Sequence, residues 1–218
     1  IAKASKKMGR VAADGLVLVC EKKGTIAAIE INSETDFVAK NKDFISFCKE
    51  ISEISFKNKG DLEKTKVSVM KNKMSVTDNL TDLISKIGEK ITLTRSRYFD
   101  KKKGNNFYYV HGAIEKNIGK IISIVKIENI VKGKNEDVGN KLAMHIAASS
   151  PLAITKEDLK KEVLEKELEI IKAELLNSGK KKEMIEKISQ GKLNKFISEN
   201  TLLNQIWIMD PKKKVLDI

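Results

Sequence analysis

The fold is decided near the start of the chain by the stretch Leu16-Val17-Leu18-Val19-Cys20-Glu21-Lys22-Lys23-Gly24-Thr25-Ile26-Ala27-Ala28-Ile29-Glu30-Ile31. Its first five residues are apolar and include two β-branched valines, which favours a strand. Residues 21–24 are polar and end in glycine, so they supply a turn, and residues 25–31 alternate as a second strand. The stretch therefore predicts an antiparallel β-hairpin.

Helical patterns follow the hairpin. Asn41 is placed to cap a helix whose apolar residues recur at helical spacing, namely Phe44, Phe47, Cys48, Ile51 and Ile54. A less regular helical stretch is expected over residues 67–74. A further helix, opened by Thr77 or Asp78, is expected to end at Gly88, because glycine tolerates the left-handed conformation that closes many helices. Residues 91–99 then have the pattern of a strand.

The second half of the chain repeats this order of elements. Residues 107–110 and 119–127 are apolar strand candidates, and a basic loop at residues 131–134 leads to another helical pattern. The segment that begins at Gly24 resembles the segment that begins at Gly119. We therefore predict an α+β fold of two duplicated half-domains, each an antiparallel hairpin or sheet with helices.

The C-terminal third has a different pattern. Thr155 and Asp158 are spaced as a helix-capping box. Apolar residues then recur at coiled-coil spacing, namely Leu164, Leu168, Ile171 and Leu175. A polar turn at residues 177–180 precedes a second apolar stripe. This arrangement predicts a protruding antiparallel helical hairpin over residues 155–200.

The predicted domain organisation follows from these patterns. Residues 1–10 are expected to be the end of an N-terminal linker helix, and residues 11–100 the first core half-domain. Residues 101–218 are expected to be the second core half-domain, which carries the coiled-coil hairpin.

The charge of the chain invites a nucleic-acid interpretation. Its formal net charge is +12, but only Arg10, Arg95 and Arg97 are arginines among 42 basic residues. Base-edge and bidentate phosphate recognition favour the guanidinium group, and the lysines are interleaved with glutamates. We therefore expect a solvated lysine and glutamate surface and no specific nucleic-acid binding. No apolar run approaches the roughly 18 residues of a membrane span, so no membrane association is expected.

The sequence contains no pattern typical of a catalytic, cofactor or metal site. It lacks the Gly-x-Ser-x-Gly, Gly-Lys-Ser/Thr and Gly-x-Gly-x-x-Gly motifs. His111 and His145 are the only histidines and have no metal-ligand spacing. Cys20 and Cys48 lie in apolar patterns typical of buried thiols. We therefore expect no cofactor, no metal and no covalent chemistry.

The most unusual segment is the polar loop at residues 32–41, which carries Phe37 and Val38 at its centre. In one interpretation Phe37 folds back into the core and Val38 packs beneath the following helix. In the other, Phe37 is an exposed aromatic wedge beside the carboxylate of Asp36, a combination suited to insertion into a protein partner. The residue pattern alone leaves both interpretations open.

Several blocks of the sequence closely resemble the elongation factor Ts family. The longest is Glu30-Ile31-Asn32-Ser33-Glu34-Thr35-Asp36-Phe37-Val38-Ala39-Lys40-Asn41. The others are Val11-Ala12-Ala13-Asp14-Gly15, Lys86-Ile87-Gly88-Glu89, Tyr109-Val110-His111-Gly112, Ala143-Met144-His145-Ile146-Ala147-Ala148-Ser149, Ser178-Gly179-Lys180 and Met209-Asp210-Pro211. They occur in family order over essentially the whole chain. The family begins with a small helical domain related to ubiquitin-associated domains, and only its trailing helix is expected here, in residues 2–10.

The resemblance implies a guanine nucleotide exchange factor for elongation factor Tu that acts without covalent chemistry. It would bind the GDP-bound and nucleotide-free partner, disturb the Mg²⁺ site of that GTPase and promote GDP release. The residues implied for this step are Thr35, Asp36, Phe37 and Val38. The other implied partner contacts are Ile87, Gly88, His111 and Gly112.

Two alternatives from other functional classes remain open. One is a lysine-rich RNA-binding module, which would show strongly salt-dependent RNA affinity. The other is an inert scaffold that acts through the helical hairpin alone. The excess of lysine, isoleucine and asparagine indicates an AT-rich genome and hence a bacterial, cytoplasmic factor. A mitochondrial or plastid homologue is the alternative location, because a transit peptide would precede Ile1.

Overall fold

The computed structural model describes residues 11–129, 136–179 and 181–218. The expected linker helix at residues 1–10 and the basic loop at residues 131–134 lie outside the described residues. The chain divides into two compact units, Ile1–Ala143 and Met144–Ile218. The half-domain boundaries expected at residues 10 and 100 stay predictions.

The first unit contains two antiparallel sheets among its described residues. The predicted hairpin is confirmed, because β1 (Asp14–Lys22) pairs along its whole length with β2 (Thr25–Ser33). A four-stranded sheet has the order β3-β2-β1-β5, in which β3 is Ile91–Phe99 and β5 is Ile118–Gly119. A two-stranded sheet joins β4 (Asn105–His111) to β6 (Ile121–Ile127). The strand expected at residues 119–127 is therefore divided at Lys120, between two sheets.

Six α-helices lie in the described part of the chain. They are α1 (Lys42–Lys57), α2 (Leu62–Val67), α3 (Val76–Ile87), α4 (Glu136–Ser149), α5 (Lys161–Asn177) and α6 (Lys182–Asn200). Short 3-10 turns occupy Val38–Lys40, Leu202–Asn204 and Val215–Asp217. The α+β fold class predicted from the sequence is confirmed, and a strand pair followed by a helix occurs in both halves of the chain.

The main hydrophobic core of the first unit lies between one face of the four-stranded sheet and helices α1 and α3. The predicted apolar stripe of α1 is confirmed, since all five of its residues are buried, namely Phe44, Phe47, Cys48, Ile51 and Ile54. The predicted cap is also confirmed: Asn41 Oδ1 accepts hydrogen bonds from the backbone N–H groups of Asp43 (2.9 Å) and Phe44 (3.1 Å). The cap fixes the start of α1 directly after the polar loop.

Two helix boundaries differ from the sequence predictions. The helical stretch expected at residues 67–74 is wrong, because α2 starts earlier, where Asp61 caps it by accepting from Lys64 N–H at 2.9 Å. Lys73 has a φ of +66°, which interrupts any helix through this region. Helix α3 begins at Val76 and is opened by Ser75, not by Thr77 or Asp78, because Ser75 Oγ accepts from Asp78 N–H at 3.0 Å.

The predicted helical hairpin is present in the second unit, but it starts later than expected. Asp158 accepts hydrogen bonds from the N–H and hydroxyl of Thr155, yet no helix begins there. The chain instead forms a turn, in which the backbone N–H of Leu159 donates to Lys156 O at 3.1 Å and the side chain of Leu159 is buried. Helix α5 begins only at Lys161. Helices α5 and α6 then pack through a small apolar cluster, made of Ile171, Leu175, Ile185, Ile188 and Leu193.

Candidate functional site

The loop that follows β2 is ordered by its own backbone. The N–H groups of Ala39, Lys40 and Asn41 donate to the carbonyls of Asp36, Phe37 and Val38, at 3.2, 3.1 and 2.9 Å. Phe37 has φ −62° and ψ −35°, which is ordinary helical geometry. The loop is therefore a single turn of 3-10 helix without backbone strain at Phe37.

Neighbouring side chains in this turn have opposite environments. Phe37 is 74% exposed, whereas Val38 and Ala39 are 3% and 2% exposed and belong to the core of the first unit. The interpretation in which Phe37 folds back into the core is therefore wrong, and the packing of Val38 beneath the following helix is correct. The Lys40 ammonium lies 5.8 Å from the centroid of the Phe37 ring and 3.9 Å from the Asp36 carboxylate. Phe37 is thus an exposed aromatic residue with the ammonium group of Lys40 over its ring.

A second predicted segment, the turn after α3, is hydrogen-bonded directly to this loop. Gly88 ends the helix with a φ of +89°, and its N–H donates to Ile84 O at 2.9 Å. The next residue, Glu89, accepts from both the N–H (2.9 Å) and the hydroxyl (2.7 Å) of Thr35. Ile87 is half-buried against the core. The structure therefore brings Thr35 together with Ile87 and Gly88.

The third predicted segment, His111 and Gly112, ends strand β4. The imidazole of His111 is exposed, and its Nδ1 lies 3.4 Å from the Tyr109 hydroxyl. Gly112 has a φ of +59°, and an added Cβ would lie 3.3 Å from the side chain of Lys120. The N–H of Lys120 donates to His111 O at 3.0 Å. Lys120 therefore sits directly against both residues of this segment.

Strand register places the three segments at one end of the four-stranded sheet. Asp14 opposes Ser33 in β2, and Ser33 opposes Ile91 in β3, so the loop after β2 and the turn before β3 share this end. The Lys120 ammonium binds the Asp14 carboxylate at the same end, and with the Gly15 N–H it holds the pKa of Asp14 below its usual range. Because neighbouring strands lie about 4.8 Å apart, the end spans roughly 14 Å from β3 to β5.

Two residues of this end were missed by sequence reasoning. Glu89 follows the helix-ending glycine, and Lys120 precedes β6, but each is a charged residue in a charge-rich chain and has no local signal of its role. Their partners, Thr35 and Asp14, lie 54 and 106 positions away along the chain. Only the sheet register brings these pairs together.

The remaining reactive side chains have little access to solvent. Cys20 and Cys48 are free and buried, and desolvation raises the pKa of both thiols. His145 is fully buried. In the described part of the chain, no group of three or more His, Cys, Asp and Glu side chains could hold a metal ion. None of the helices described for residues 11–129, 136–179 and 181–218 is long and apolar enough to cross a membrane.

Comparison with known proteins gives one consistent result. The family model described as elongation factor TS matches residues 34–218. An elongation factor Ts from Paracoccus denitrificans (strain Pd 1222) is 39% identical over 212 residues, which cover 97% of this chain and 70% of that protein. An elongation factor Ts from Bartonella quintana (strain Toulouse) is 37% identical, and the match covers 97% of this chain and 69% of that protein. One from Rhizorhabdus wittichii is also 37% identical, and the match covers 100% of this chain and 71% of that protein. The chain therefore belongs to the elongation factor Ts family of translation elongation factors.

Proposed function

We propose that this chain is a guanine nucleotide exchange factor for elongation factor Tu. It binds the GDP-bound GTPase, disturbs the Mg²⁺ site of that partner and promotes GDP release, and it also binds the nucleotide-free partner. The observation that carries the proposal is the exposure of Phe37 on an ordered turn, in a chain that belongs to the elongation factor Ts family. A large aromatic side chain held in solvent is a suitable anchor for a protein interface.

The proposed mechanism needs no covalent step by this chain. Phe37 inserts between elements of the GTPase, and the Asp36 carboxylate beside it helps to reposition a helix of the partner. The Mg²⁺ would be held by the GTPase, where its charge would stabilise the bound nucleotide. Displacing this ion would weaken the binding of GDP, so docking of this chain on the surface of the GTPase would accelerate nucleotide release.

The other predicted residues have two proposed roles: contact with the partner, and packing that holds the Phe37 turn in place. Ile87, Gly88, His111 and Gly112 lie at the same end of the sheet as Phe37 and are proposed to contact the partner. Val38 is buried, so its contribution is to hold the turn against the core. The bacterial origin of the relatives supports a bacterial, cytoplasmic location for this activity.

The test is the release of a fluorescent GDP analogue from elongation factor Tu. The wild-type chain should accelerate release, and Phe37→Ala should reduce the acceleration on the order of 30-fold, which corresponds to loss of one interface hot spot. Val67→Ala is the matched control, because Val67 is 72% exposed on α2 and outside the proposed docking end. An unchanged release rate with the folded wild-type chain would refute the proposal.

A further inference from the structure

We infer that Glu89 is a positioning residue for nucleotide exchange: it latches the Phe37 turn to the turn that ends α3, so that both dock as one rigid unit. This inference rests on the proposed exchange function. Glu89 is assigned no contact with the partner. It acts through Thr35, which precedes Phe37 by two residues.

The latch consists of reciprocal hydrogen bonds between two dipeptides. The Glu89 carboxylate accepts from the backbone N–H of Thr35 at 2.9 Å and from its hydroxyl at 2.7 Å. In the opposite direction, the Glu34 carboxylate accepts from the backbone N–H of Lys90 at 2.6 Å. Hydrogen bonds to an ionised carboxylate are among the stronger ones in proteins. Each turn thus contributes one carboxylate and one backbone donor to the other.

The latch holds the loop on the N-terminal side of Phe37, where Ser33 Oγ also donates to Thr35 O at 2.9 Å. On the C-terminal side of Phe37, the turn is held by the buried side chains of Val38 and Ala39. The ring of Phe37 itself is exposed, so packing against the core does not fix its position. On the N-terminal side, Glu89 holds Thr35. The exposed pair Asp36 and Phe37 is therefore fixed from both sides, which lowers the conformational entropy that docking would otherwise remove.

The same carboxylate also sets the spacing between two proposed contact segments. Glu89 is bonded covalently to Gly88, the left-handed residue that ends α3. A hydrogen bond from Glu89 to Thr35 therefore couples the position of Gly88 to the position of Phe37. Loss of the latch leaves both segments present but lets them move independently, which lowers the fraction of molecules ready to dock.

Hydrogen exchange tests the latch without any exchange activity. In Glu89→Gln, one of the two acceptor oxygens is replaced by a donor amide. We expect faster amide exchange at Thr35, whose N–H donates to Glu89, while the amides of β1 and β2 keep their protection. Glu63→Gln is the control, since Glu63 is an exposed, ion-paired glutamate on α2. Unchanged protection of the Thr35 amide in Glu89→Gln would overturn the latch.

Kinetics of GDP release then test the positioning role. We expect Glu89→Gln to raise the half-saturating concentration of the factor roughly 5- to 10-fold, the effect of one lost hydrogen bond of ordinary strength, with the maximal release rate unchanged. Thr35→Val, which removes only the hydroxyl, should raise it less. In the background of Phe37→Ala, adding Glu89→Gln should change the second-order rate constant less than twofold, because both act through the same turn.

The outcomes separate the two proposals. If the wild-type chain does not accelerate GDP release, the proposed function fails, and hydrogen exchange still decides whether the latch exists. If the wild type is active but Glu89→Gln matches it, or if the effects of Glu89→Gln and Phe37→Ala multiply, the positioning role is refuted. Circular dichroism checks that each variant is folded. If Glu89→Gln does not fold, the same measurements on Thr35→Val test the positioning role.

Discussion

His145 is the single residue whose environment most clearly sets its ionisation. Its side chain is fully buried in Met144–Ile218 and stacks on Trp207, with ring centroids 5.2 Å apart. Nδ1 accepts from the N–H of Ile208 at 3.4 Å, so Nε2 carries the proton and donates to Gln205 Oε1 at 3.0 Å. Desolvation lowers the pKa of His145 below its ordinary value of 6.5, partly offset by the hydrogen bond to Gln205. The neutral imidazole therefore belongs to the folded state.

Stability should depend on pH through His145. Because the folded pKa lies below the unfolded value of 6.5, the unfolded chain binds more protons between the two values. The stabilisation is complete above about pH 6.5 and declines as the pH falls toward the folded pKa. When the pH is lowered from 7.5 to 5.5, the free energy of unfolding measured with urea should fall less in His145→Phe than in the wild type. Val67→Ala, a change at an exposed residue that does not titrate, should keep the wild-type loss. Equal losses of unfolding free energy in His145→Phe and in the wild type would show that His145 is not the source of this pH dependence.

At the scale of elements, two helical glycines have opposite surroundings. Gly139 in α4 lies against Phe107 of β4, and an added Cβ would come within 2.3 Å of the Phe107 ring. Gly191 in α6 faces open space, with nothing within 4 Å of an added Cβ. The close approach of α4 to β4 therefore requires glycine at position 139. The helical hairpin of α5 and α6 does not require glycine at position 191.

This contrast predicts opposite effects of the same substitution. Gly139→Ala should destabilise the chain by about 1–2 kcal/mol, because overpacking exceeds the gain in helix propensity. Gly191→Ala should stabilise it by up to about 1 kcal/mol, because only the propensity term remains. Chemical denaturation of both variants measures the difference. A similar increase in stability for the two would show that α4 does not pack closely on Phe107.

At the scale of the whole molecule, the formal net charge of +12 comes from 42 basic and 30 acidic residues. Many exposed lysines lie beside carboxylates, for example Lys49 with Glu115 and Lys86 with Asp43, both at 2.6 Å. Such exposed pairs contribute little to stability. The excess of basic over acidic residues leaves a weak, salt-sensitive attraction to acidic molecules. If this chain were an RNA-binding module, Phe37→Ala would retain the full affinity for RNA.

The proposed exchange activity also constrains the binding equilibria of this chain and GDP on the GTPase. If binding of this chain weakens the affinity of elongation factor Tu for GDP, then GDP must weaken the affinity for this chain by the same factor. We expect that factor to be roughly 5–150-fold. Calorimetric titration of nucleotide-free and GDP-bound elongation factor Tu measures it. Equal affinities for the two forms would contradict exchange by displacement.

Much of the fold was readable from local sequence. Alternation predicted β1 and β2, helical spacing predicted the buried face of α1, and Asn41 and Gly88 marked helix ends, because each of these signals arises from side chains within a few residues of one another. Helix starts were less readable: Asp61 and Ser75 decide α2 and α3, and the turn at Leu159 delays α5. Several residues near each start can act as a cap, and packing selects among them.

The sequence by itself determined the α+β class, the family and the candidate loop. Only the tertiary structure decided that Phe37 is exposed while Val38 is buried, since in a turn the two alternatives are equally compatible with the local pattern. It also decided the contact of Thr35 with Glu89, 54 positions apart. That contact depends on the register of β2 against β3, which is set by the burial of one whole sheet face and not by the residues that meet at its end.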